Sequence, residues 1–188
     1  MSRSNISFNF VSSLLLLKHY VMESLSSFIL VGATVILGVI IFSLFASYGA
    51  IYATNALEVQ EAQYYSSGLR ISAGSPAGNQ VPIIINDFNY PNGCIYLVAF
   101  FIKPCYSKSA STVTPSCFAL INSTSPTEMT LTILGLNSNI IYEGKADVYK
   151  AHVGNLELVC TKPGYYTELW IIMKIDCKFF RIGYYVIN

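Results

Sequence analysis

The sequence predicts an α+β chain: a long N-terminal transmembrane α-helix followed by an all-β, sandwich-like domain. Two observations predict it. An uncharged apolar stretch runs from Phe28 to Ala53, and beyond Gly68 the apolar runs shorten and turn residues punctuate them.

The apolar stretch reads FILVGATVILGVIIFSLFASYGAIYA, with no charge, Pro, Asn or Gln. As a helix it reaches about 39 Å, and a bilayer core is about 30 Å thick, so it spans with room to tilt. The residues that follow, TNALEVQEAQYYSSGL, are good helix formers, and Gly68 offers the first stop. The sequence thus predicts one helix from about Leu25 to Ser67. One face carries Ser43, Ala46, Ala50 and Ala53 at three- and four-residue steps, with Gly49 beside them. Small residues at this spacing let a second helix approach closely in lipid, so this face is a candidate helix-packing surface and a route to a homo-oligomer. Small residues are also common in membrane helices generally.

Arg3 and Lys18 precede the span, while Glu58 and Glu61 follow it. The positive-inside rule then predicts a cytoplasmic N-terminus and an extracellular C-terminal domain. Phe10–Leu17 is apolar but too short to span, and no A-x-A cleavage site follows it. Met22 offers a start of its own; with translation from there residues 1–21 are an untranslated segment and Lys18 drops out of the orientation argument. The predicted layout is therefore residues 1–21, then a helix and its extension at 22–67, then a β-domain at 68–188.

In the β-domain the strand candidates are Leu69–Ala73, Val81–Asn86, Cys94–Lys103, Cys117–Ile121, Met129–Leu134, Ile140–Tyr149, Leu156–Thr161, Thr167–Asp176 and Phe179–Ile187. They are rich in Ile, Val, Thr, Tyr and Phe and are separated by Pro, Gly, Asn and Ser, the pattern of a β-sandwich. Met129, Leu131 and Ile133 alternate with Thr130 and Thr132, which predicts one buried face. Leu156, Leu158 and Cys160 are expected to share another. Cys94–Ile102 is apolar almost throughout and is expected to be central.

Five cysteines, at 94, 105, 117, 160 and 177, all follow the span. An oxidising outer compartment favours two disulfides with one thiol left over. The favoured pairs are Cys105–Cys117, clipping a Ser/Thr-rich loop, and Cys160–Cys177, across neighbouring strands. Other pairings, or five buried thiols, fit the spacing as well. Asn122-Ser123-Thr124 is a glycosylation sequon in an expected loop, which makes Asn122 a candidate site.

Charged residues make up 11% of the chain and net charge is +1, so no basic patch recruits nucleic acid. No C-x-x-C pair, G-x-S-x-G elbow or P-loop occurs. Asp87, Glu143, Asp147, Glu157 and Asp176 are scattered, and His152 is expected in a surface loop. No enzyme activity, metal or cofactor is expected. The Tyr pairs at 64–65, 165–166 and 184–185 are expected mainly to fill and edge the β core, with some left outside for contacts.

The opening MESLSSFILVGATVILGVIIFSLF, leading through a short linker to an outer β-domain, resembles the archaeal type IV filament superfamily. That group comprises pilins, archaellins and the stator-type F and G components of the archaellum. Low charge with abundant Ile, Tyr, Ser and Asn is similar to thermophilic crenarchaeal proteins. The resemblance implies a membrane-anchored surface protein whose β-domain binds cell-envelope or appendage components. Its alternative implication is a pilin-like subunit assembling through the helix. Lys18-His19 and Glu23-Ser24 depart from the basic-plus-small pair at which prepilins are cut, and that departure favours the anchored reading.

Overall fold

A computed structural model describes residues 5–103, 118–122 and 125–187, with backbone alone for 5–17 and 19. Helix α1 spans Asn5–Gly68. Eight strands follow among these residues: β1 (Leu69–Ala73), β2 (Gln80–Asp87), β3 (Cys94–Ile102), β4 (Thr127–Leu134), β5 (Ile140–His152), β6 (Leu156–Cys160), β7 (Tyr166–Ile175) and β8 (Lys178–Ile187). The chain divides into two compact units, Met1–Ala53 and Thr54–Asn188.

In the first unit the apolar residues of α1 lie exposed, among them Phe28, Phe42 and Phe45. Its hydroxyls turn back onto the helix: Ser26 Oγ donates to the Glu23 carbonyl, Thr34 Oγ1 to Val31 and Ser47 Oγ to Ser43. A polar side chain satisfied by its own helix costs little in hydrocarbon.

The second unit takes in the end of α1. Glu58, Ala62 and Tyr65 recur at helical spacing and turn one face inward, with Ala62 fully buried. The helix ends where Asn89, from the segment after β2, reaches its last turn. Asn89 Nδ2 donates to the Tyr64 carbonyl at 2.6 Å and to Ser67 Oγ at 3.0 Å. These bonds satisfy groups that a helix end leaves open. Gly68 permits this contact, because a Cβ there would stand 2.6 Å from Asp87 Oδ1.

The strands form a three-stranded sheet, β1-β2-β6, and a closed barrel, β3-β5-β4-β8-β7. The barrel corrects the expected sandwich. β3 pairs with β5 along its first half and with β7 along most of its length, so both of its edges are used. The ring then closes through a parallel contact of β4 with β8 at Ile133–Phe179 and Leu134–Phe180. Strand composition is the same in a sandwich and a barrel, and pairing alone separates them.

Two hydrophobic cores result. Val98, Phe100, Ile102, Leu131, Ile133, Trp170 and Ile172 come from barrel strands only and fill its interior, where the Phe100 and Trp170 rings meet edge to face at 4.8 Å. Ile95, Leu97, Leu169 and Ile171, on the opposite face of β3 and β7, pack against Val81, Ile83, Ile85 and Val159 of the small sheet and against Ala62 of α1.

Most strand expectations hold, including the burial of Leu131 and Ile133 opposite exposed Thr130 and Thr132. In β6 the expected face is inverted. Register places Glu157 opposite Ile83 and Val159 opposite Val81, so Glu157 and Val159 point into the core, and Leu156 is exposed. Of Cys117–Ile121, Phe118 and Ile121 make isolated bridges to Phe100 and Val159, and Cys117 lies outside the described residues.

Lys178, at the start of β8, ties the barrel to the helix end. Its ammonium donates to Glu58 Oε2 at 2.5 Å and to Asn55 Oδ1 at 2.6 Å. The Glu58 side chain is only 9% exposed, so removing its partner leaves a buried carboxylate bare. Lys178→Met is therefore expected to destabilise the second unit by about 1–3 kcal/mol. Thermal melting of the purified protein checks this, and the Lys178→Met/Glu58→Leu double variant is expected to regain most of the loss.

Candidate functional site

The helix-packing residues Ser43, Ala46, Gly49, Ala50 and Ala53 are all exposed on α1. A Cβ added at Gly49 meets nothing within 4 Å. Tyr20–Gly68 is long and apolar enough to cross a membrane, and its most apolar window is wholly unburied. Left in water, an apolar surface of this kind costs roughly 25 cal/mol for every Å² of it.

The cysteines correct an expectation. Cys160 and Cys177 are free thiols. Cys160 ends β6 in the small sheet, whereas Cys177 lies exposed between β7 and β8 of the barrel. The expected cross-strand pair assumed that strands adjacent in sequence are adjacent in a sheet, and β6 pairs with β2 instead. Cys94 is also free. Cys105 and Cys117 lie outside the described residues. Asn122 is exposed in a turn, with its N–H donating to the Leu158 carbonyl at 2.9 Å. Ser123 and Thr124, which complete its sequon, lie outside the described residues.

His152 is the last residue of β5, not a loop residue, and stands opposite Cys94 of β3. Its Nδ1 is 3.4 Å from Cys94 Sγ, in the open. Among the described residues no group of three or more His, Cys, Asp or Glu is placed to hold a metal ion.

The polar feature missed by sequence reading lies in the barrel. Glu168 is fully buried on β7, on the same face as Trp170. Its Oε1 accepts the Trp170 indole N–H at 2.7 Å, and its Oε2 has no protein donor. Burial raises the Glu168 carboxyl above its ordinary range, although the indole hydrogen bond and the Arg181 charge pull the other way. Arg181, on β8, lays its guanidinium over the Trp170 ring at 4.9 Å and the Tyr184 ring at 5.2 Å. Its Nη1 is buried without an acceptor, and burial lowers its proton affinity. A lone carboxylate inside the apolar run TELWII was the available sequence signal.

Arg181 also borders a groove of about 880 Å³ between β1, the β4–β5 turn and β8. Leu69, Ile71, Leu136 and Ile141 give it apolar walls, and Asn137, Asn139 and Tyr184 add polar groups.

Compared with protein-family models, curated proteins and solved structures, the chain matches none.

Asp87 and Glu157 join Glu168 as buried carboxyls held above the ordinary carboxylate range, each chiefly by burial. A carboxyl whose folded pKa is raised binds its proton more tightly in the native state. Its stabilising contribution is full below the unfolded carboxylate pKa and disappears as pH rises through the folded value. Glu157→Gln is therefore expected to raise the melting temperature at pH 7 and to lose that advantage as pH falls toward 4. Paired melting curves across this range check it. A constant difference between the two proteins would contradict it.

Proposed function

We propose that this chain is a membrane-anchored cell-surface protein whose outer β-domain engages components of the cell envelope or of a surface appendage. The observation that carries the reading is the exposed uncharged helix joined to a separately packed β unit. A helix of this kind is long enough to cross a bilayer. Arg3 and Lys18 before the span, with Glu58 and Glu61 after it, support a cytoplasmic N-terminus and an extracellular C-terminal domain. The reading assigns no catalysis, cofactor or nucleic acid. Its partners are the lipid bilayer, envelope or appendage proteins, and a second copy through the helix. The likeness to the archaeal type IV filament superfamily supports it at the level of arrangement.

A pilin-like filament subunit is the second reading. The exposed small-residue face Ser43–Ala46–Ala50–Ala53 with Gly49 favours it, because filament cores are made of closely packed helices.

Fractionation tests the first reading. The native protein is expected to stay in the membrane pellet after alkaline carbonate extraction, with its N-terminus at Met1 or Met22. Recovery in sheared filaments, with a mature N-terminus near Leu25 or later, would establish the second. In either case Ala46→Leu/Ala50→Leu is expected to weaken helix self-association in bilayers by about 1 kcal/mol or more, read by energy transfer between labelled copies.

A further inference from the structure

The barrel seam leaves one edge of β8 open. β4 meets β8 at Ile133–Phe179 and Leu134–Phe180, and β4 then ends at Leu134. β8 runs on to Ile187. Over that overhang it pairs with β7 on one side, and among the described residues no strand pairs with its other side. β1 is likewise paired only with β2.

Both edges border the groove described above. Four consecutive residues of β8, Arg181 to Tyr184, line it. Side chains of a strand alternate between faces, so a groove on one face collects every second residue. A β-bulge at Ile182, opposite Ile171 and Ile172, interrupts that alternation and brings four consecutive residues to the groove, beside the edge of β8 that faces away from β7. At Gly183 the Leu69 side chain leans in so closely that a Cβ would meet its Cδ2 at 2.2 Å. Glycine is thus what lets β1 and β8 share this groove. Arg181 is the only charged residue among those lining it, and on the barrel side its charge acts on the buried Glu168.

We propose that this groove receives an extended segment of a protein partner as an added strand along β8, with a carboxylate of that segment matched to Arg181. The open backbone edge selects a polypeptide, because only another backbone answers a row of alternating donors and acceptors. The walls favour apolar side chains at alternate positions. The lone guanidinium, stacked on Trp170 and Tyr184, selects for negative charge. The inference rests on the surface-protein reading and gives that reading a partner chemistry.

The test uses the full chain in lipid nanodiscs. The probes are nonapeptides of alternating Ser and Val, with a single Asp walked through the Ser positions. Hydrogen exchange of the amides at 181–187 reports strand addition, and Trp170, the only tryptophan, reports on Arg181 through its emission. The expected result is protection of these amides by peptides carrying Asp in one register. Replacing that Asp by Asn, or N-methylating alternate residues, is expected to weaken binding by about tenfold or more, the loss of one charge-assisted hydrogen bond or of several backbone ones. Arg181→Gln is expected to abolish the preference for Asp over Asn. The peptide changes, made against the unaltered protein, stand independently of any effect of that variant on folding. Three outcomes overturn the proposal: no peptide protects β8, N-methylated peptides bind equally well, or a neutral oligosaccharide protects the same amides instead. Failure here with retention in the carbonate pellet removes the groove assignment alone. Loss from the pellet removes the anchored reading.

Discussion

β7 is buried on both faces from Thr167 to Met173, and β3 from Leu97 to Phe100. The paired strands form a wall common to the two cores. One face of the wall carries Trp170, Phe100 and Ile172 into the barrel. The other carries Leu169, Ile171 and Leu97 against the small sheet and the end of α1. Removing either side would expose a row of large apolar side chains, each contributing roughly 1.5–3 kcal/mol when buried. The barrel, the small sheet and the helix end are therefore held by one shared layer.

That arrangement explains where polar groups are tolerated. Glu168 lies inside the barrel only because the Trp170 indole and the Arg181 charge offset part of its desolvation. Asp87 sits where the helix meets the sheet, and its Oδ1 accepts the Asn89 N–H at 2.8 Å. That bond holds Asn89 in place to cap the helix. Glu157 has no such partner for its Oε2 and is best accommodated protonated. Protonation removes the cost of burying carboxyls of this kind.

The two units meet different demands. The apolar helix must satisfy its polar groups internally, and its hydroxyls do so. The second unit must end its sheets without leaving every edge bare. Barrel closure removes most edges, but past the short β4–β8 seam no strand among the described residues pairs with the far edge of β8, beside Arg181.

The long apolar helix was legible from composition alone, because an uncharged run of this length is long enough to cross a bilayer. The strands were legible where polar and apolar residues alternate cleanly, as in Met129–Leu134. In Leu156–Cys160 the alternation pointed to Leu156, Leu158 and Cys160 as the buried face, but register with β2 turned Glu157 and Val159 inward instead. Cys160 and Cys177 looked like neighbours because β6 and β7 adjoin in sequence, yet the two strands entered different sheets. The sequence by itself determined the helix, the positions of most strands and the scarcity of charge, since these depend on local periodicity and residue chemistry. Only the tertiary structure decided barrel over sandwich, the burial of Glu168 beside Arg181 and the open edge of β8. Those depend on which strands pair, and pairing is settled by contacts between residues far apart in the chain.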